Sequence, residues 1–139
     1  MNLDAMPLAR QVEFVFKQLE NELVNAVAGT VTIHIRNNVV GKYGVRHNPI
    51  ESKNGQIGDK PAVQGMTAAQ VLAFRQMAVD SLRMKRSWTH GEIAYDFCVR
   101  SGAAGGWSAS ITYESNYNLA NSLFRYQPKY SQQALRDAP

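Results

Sequence analysis

Within the first 36 residues the spacing of apolar side chains changes from the period of a helix to that of a strand, and no single regular element accommodates both. Leu8, Val12, Val15, Leu19, Leu23 and Ala26 recur at steps of three and four, with Phe14, Phe16, Val24 and Val27 widening the stripe. That spacing lines one side of a helix. Pro7 suits a first turn, where its missing N–H has no intrahelical partner, and Gly29 suits a stop, so a helix is expected over residues 5–28. In the following TVTIHIRNN, Val31, Ile33 and Ile35 alternate with Thr32, His34 and Arg36, which is the period of a strand.

The strand leads into Asn37-Asn38 and a second extended run through Val45. Asparagine tolerates positive φ, so the pair marks a hairpin turn. A three-residue loop would set Ile33 opposite Tyr43 and Val31 opposite Val45, whereas a two-residue loop would put Lys42 opposite Ile33. Keeping apolar residues together favours the longer loop.

Residues 47–65 contain two prolines and three glycines and no sustained period, and read as a long mobile or functional loop. Two local patterns follow, MTAAQV at 66–71 and WTHGEI at 88–93. Each offers Thr as an N-cap, Gln or Glu three residues later, and apolar residues placed for a hydrophobic staple. They predict helices over 68–85 and 90–100. The first is expected to bury Val71, Phe74 or Leu72, Ala78 and Leu82, and to end in the basic run RMKR at 83–86. The second is expected to turn Ile93, Ala94, Phe97 and Cys98 inward, with Cys98 a small buried hydrophobe and His90, Asp96 and Arg100 at the surface.

The glycines of SGAAGG follow this expected helix and precede a strand, the reverse of a nucleotide-binding loop, so they read as a terminator and connector. Trp107, Ala109, Ile111 and Tyr113 then alternate with Ser108, Ser110, Thr112 and Glu114, which predicts a third strand. Leu119, Leu123 and Tyr126 predict a short last helix. The fold class that results is α+β: a small antiparallel sheet of a hairpin plus one later strand, covered by three to four helices in the order α-β-β-α-α-β-α. A single domain over 1–127 and a loosely ordered tail over 128–139 are expected.

Chain length of 139 residues fits one core, and the net charge of +4 permits nucleic-acid binding without requiring it. Residues 1–29 are net acidic, and the largest basic excess lies in 30–60. One cysteine, Cys98, cannot form an intramolecular disulfide, and no run of 18 apolar residues exists. Both point to a cytoplasmic chain that does not enter a membrane. The three histidines, His34, His47 and His90, share no metal-ligand spacing with one another or with Cys98. HEXXH, CXXC, GXSXG and P-loop motifs are absent. No catalytic residue, cofactor or metal is therefore expected.

Two classes of function remain. The first is nucleic-acid binding by a regulator acting as a homodimer, bacterial or phage in type. Its contacts would come from a basic strand face carrying Arg36, Lys42 and Arg46, or from the two expected helices, a pair resembling a helix-turn-helix, with Arg83, Lys85, Arg86 and His90. The second is a protein-interaction or inhibitor module of the immunity, antitoxin, chaperone or anti-defence type. It would act through a sheet edge and a C-terminal third rich in Trp107, Tyr113, Tyr117, Tyr126 and Tyr130. Glu92 and Asp96 in the would-be recognition helix weigh against the first class.

Overall fold

The helical stripe of the N-terminal segment folds as two helices, α1 (Leu8–Gln18) and α2 (Glu20–Val24), interrupted at Leu19. The computed structural model describes residues 6–58, 65–100 and 106–120. The stripe residues Val12, Val15, Leu19, Leu23 and Ala26 are all buried, whereas Phe14 is exposed. Gly29 does not stop the helix; it lies inside strand β1 (Ala28–Arg36). A Cβ there would run into the Arg46 carbonyl of β2 (Val39–His47) and meet the Phe97 ring.

The β1–β2 hairpin combines the expected register with an unexpected turn. Val31 faces Val45 and Ile33 faces Tyr43, yet Arg36 faces Val39, so the turn has only the two residues Asn37 and Asn38. Their φ values of 51° and 61° match the primed turn that follows the right-handed twist of the strands. The surplus residue is absorbed as a bulge, with Gly41 and Lys42 set against His34 between the Ile33 and Ile35 pairs. A bulge restores the apolar register that a two-residue turn alone would lose.

The 47–65 segment is less structureless than expected. Ser52–Lys53 (β3) and Gln56–Ile57 (β4) pair across an Asn54-Gly55 turn, with φ of 53° and 82° at the two turn residues. Residues 59–64 lie outside the described residues.

Helix α3 (Ala68–Ser81) forms as its sequence predicts. Thr67 Oγ1 accepts the Gln70 N–H at 3.1 Å, and the Gln70 side chain accepts the Thr67 N–H at 3.0 Å, closing the capping box. Val71, Phe74, Ala78 and the following Leu82 are buried, and Leu72 is exposed. A 3₁₀ turn, Leu82–Met84, ends the helix.

The second expected helix is absent. Residues 90–99 form the longest strand, β5 (His90–Val99), between β1 and β6 (Trp107–Ser115). Extended backbone puts Gly91, Ile93, Tyr95, Phe97 and Val99 on one buried face. A helix would have left Tyr95 and Val99 off its apolar side and turned Cys98 inward, whereas Cys98 is exposed. A central strand satisfies its backbone on both sides, and Gly91 permits that close approach, since a Cβ would collide with the Glu114 carbonyl and the Trp88 ring. With that helix goes the helix-turn-helix arrangement. The residues that looked like a staple and cap hold the sheet instead. The backbone N–H of buried Trp88 donates to the Asn38 side-chain carbonyl at 2.8 Å, and the N–H groups of Asn37 and Asn38 donate to the carbonyls of Thr89 and Trp88.

The class is α+β, with an antiparallel sheet ordered β2-β1-β5-β6. Helix–strand–strand occurs twice along the chain, and the first strands of the two units pair at the centre. Helices α1 and α3 pack on one face around Phe16, Phe74 and Tyr95, whose rings meet edge-on at 4.9–6.0 Å. The expected third strand is thus the fourth of the sheet. Residues 119 and 120 are helical, and the rest of the expected last helix and the 128–139 tail lie outside the described residues.

Candidate functional site

Strand alternation places two unlike surfaces on the sheet. Inner-facing residues are covered by the helices, and outer-facing residues form a polar face on which, among the described residues, no helix packs. Across the four strands this face reads in rows: Arg46, Thr30, Asp96 and Ser110; Gly44, Thr32, Ala94 and Thr112; then His34, Glu92 and Glu114. Arg36 and His90 form the last pair, beside the Asn37-Asn38 turn.

The Thr30 hydroxyl donates to Asp96, and His34 Nε2 lies 3.9 Å from a Glu92 carboxylate oxygen. Glu92 in turn faces Glu114 across β5 and β6. Asp96, Glu92 and Glu114 therefore place three carboxylates on the β5–β6 half, while Arg36 and Arg46 stand at opposite ends of the β1–β2 half. Arg36 lies six residue steps along β1 from Thr30, the partner of Arg46, a span of about 20 Å at strand rise.

The basic residues singled out in the sequence do not form one surface. Arg83, Lys85 and Arg86 line an open groove of about 340 Å³ in the helix layer, together with Leu8, Ala9, Val79, Asp80 and Leu82. That groove lies on the opposite side of the sheet from Arg46. Lys42 occupies the bulge. At the turn end of the sheet Arg36 pairs with His90 on the outer face, whereas on the helix side Lys85 packs against the buried Trp88. Its ammonium stands 4.9 Å over the Trp88 ring, and its carbonyl accepts the indole N–H at 3.2 Å.

The aromatic residues are divided as well. Trp107 packs on Phe74 at 5.4 Å, and Tyr113 donates to the Ser81 carbonyl at 2.6 Å. Both serve the core rather than an open surface. Tyr117 is exposed, and Tyr126 and Tyr130 lie outside the described residues.

A tie that apolar spacing does not reveal is Gln11, 4% exposed at the end of the first turn of α1. Its amide donates to the carbonyls of Met6 and Asn38 at 3.0 and 3.1 Å, and its carbonyl accepts the Val40 N–H at 2.7 Å. Gln11 thus fixes the hairpin turn, and with it Arg36, against the helix layer. Only a polar residue on the apolar side of the stripe could have signalled it.

Among the described residues no group of three His, Cys, Asp or Glu side chains is placed to hold a metal ion, and no helix is long and apolar enough to cross a membrane. No protein-family model matches the chain, nor does any curated protein or solved structure. The surface is therefore weighed by its own chemistry: charges of both signs at strand spacing, on a scaffold made rigid by the helices behind it.

Proposed function

We propose that this chain is a non-enzymatic protein-binding module of the inhibitor class, the class of immunity, antitoxin, chaperone and anti-defence proteins, and that it presents the outer face of its sheet to a protein partner. The observation carrying this reading is that both charge signs share that face, with Arg36 and Arg46 on β1 and β2 and Asp96, Glu92 and Glu114 on β5 and β6. Three carboxylates would repel a phosphate backbone, whose recognition needs a surface of one sign. Mixed charge suits a protein partner, where complementary pairs set register and exclude wrong partners. Four strands about 4.8 Å apart and about nine residues long give a face of roughly 500 Å². Bordering turns would bring it towards the ~800 Å² a partner contributes to a standard interface.

A second reading, a small basic regulator that binds nucleic acid, is favoured by one observation: Arg83, Lys85 and Arg86 gather along one open groove. One pair of variants separates the two. On the first reading, a pull-down from host lysate recovers one stoichiometric protein, Glu92→Lys with Glu114→Lys abolishes its capture, and Lys85→Glu with Arg86→Glu leaves it intact. Fluorescence anisotropy with mixed-sequence duplex and single strand at low salt then shows no binding. Salt-sensitive anisotropy that Lys85→Glu with Arg86→Glu abolishes would overturn the first reading in favour of the second. A cytoplasmic setting goes with either, supported by the single free thiol of Cys98.

A further inference from the structure

We infer that the outer edge of β6, on which no strand of the described residues pairs, pairs with β6 of a second copy of this chain, joining two four-stranded sheets into one antiparallel sheet. The two edges of the sheet are unlike. The outer strand β2 carries Lys42, Arg46 and a bulge, which are devices that keep another strand from docking. β6 has none of them. Its register with β5 runs without a shift from Trp107 to Ser115, and WSASITYES holds no proline, lysine or arginine and one charged residue, Glu114.

The phase of the ladder decides which backbone groups face outward. Arg100 donates to the Gly106 carbonyl at 2.7 Å, and Asn116 donates to the His90 carbonyl at 2.9 Å. In an antiparallel pair, residues alternate between bonding their neighbour and facing away from it. Even-numbered residues of β6 therefore bond to β5. Trp107, Ala109, Ile111, Tyr113 and Ser115 direct their N–H and C=O groups to the outer edge.

These five residues are symmetric about Ile111, the midpoint of the strand. A two-fold axis there brings Ile111 against Ile111 of the second copy, Ala109 against Tyr113, and Trp107 against Ser115, and it engages every outward group of the strand. On the polar face Ser108 meets Glu114 and Ser110 meets Thr112, so no like charges stand opposite one another. The axis also keeps the helices of both copies on one side, and the half-buried stripe of Trp107, Ala109, Ile111 and Tyr113 continues across the junction. A second copy is favoured over an unrelated strand by this self-complementarity. The inference is independent of partner binding on the outer face, since it uses the edge.

Sedimentation of the full chain from low to high micromolar concentration tests it. The mass is expected to rise from 15.5 kDa towards twice that value. Ala109→Pro removes one outward N–H without touching the β5 ladder, and should hold the chain monomeric while leaving its far-ultraviolet circular dichroism and melting temperature near those of the parent. In a Cys98→Ser background, a mixture of Ser110→Cys and Thr112→Cys chains should form an intermolecular disulfide under mild oxidation, because these residues face one another across the axis as a non-hydrogen-bonded antiparallel pair with Cα atoms about 4.5 Å apart. A chain that stays monomeric at every concentration and gives no cross-link, or a dimer that persists in a folded Ala109→Pro variant, overturns the inference.

Discussion

Tyr95 shows how one side chain in this chain couples burial to pH. Its ring is fully buried against Phe16 and Phe74, and its hydroxyl meets Ser81 Oγ at 3.1 Å. Burial pushes its phenol up to about 12, opposed by the Ser81 hydrogen bond and assisted by the nearby Tyr113. A folded-state value above the unfolded one of 10.0 means that the neutral phenol is favoured by folding. The corresponding stability is fully present below pH 10 and is lost as pH rises towards 12. The two-unit difference corresponds to roughly 3 kcal/mol. Urea unfolding of parent and Tyr95→Phe should therefore differ by about 1 kcal/mol at neutral pH, the value of one hydrogen bond. Ser81 keeps its bond to the Ala78 carbonyl at 2.6 Å. Between pH 10 and 12 the parent should lose its advantage and fall below the variant. A gap that stays constant through this range would contradict the assignment.

At the scale of elements, two threonines with the same local pattern have opposite fates. Thr67 caps α3 and completes a capping box, whereas Thr89 precedes a strand and lends only its carbonyl to the hairpin turn. Thr67→Ala should cost about 1 kcal/mol by chemical denaturation, and Thr89→Ala should stay within about 0.5 kcal/mol of the parent. A cap-sized loss at Thr89 would show that the helical reading of WTHGEI was right. Capping signals describe a segment's own first turn. They are silent about neighbours able to bond an extended backbone on both sides, as β1 and β6 do for β5. The period of residues 91–99 held the correct answer, because Gly91, Ile93, Tyr95, Phe97 and Val99 alternate throughout. The apolar Ala94 and Cys98 on the opposite face masked that alternation.

For the whole molecule, the sheet order places β1 and β5 at the centre and β2 and β6 at the edges. Both central strands alternate buried and more exposed residues along nearly their full length, while β2 has no buried residue. Native-state hydrogen exchange should find the slowest amides in β1 and β5, at close to the global unfolding free energy, and faster exchange in β2 and in the β3–β4 hairpin. Slowest exchange in α1 or β2 would contradict this order of stability. The same topology splits the basic residues. Alternation sends Arg46 to the outer face, and Arg83, Lys85 and Arg86 follow α3 into the helix layer.

Local patterns in the amino-acid sequence determined the first helical stripe, the hairpin with its Val31–Val45 and Ile33–Tyr43 register, the Thr67 cap and the strand over 107–115. In each of these, periodicity or turn chemistry within a few residues sets the outcome. Tertiary structure decided the strand over 90–99, the bulge at Gly41 and Lys42, the buried tie of Gln11, and which charged residues share a surface. Those outcomes depend on backbone partners and packing partners that are distant in sequence. A pairing such as Arg36 with His90 exists only after β5 has entered the sheet beside β1.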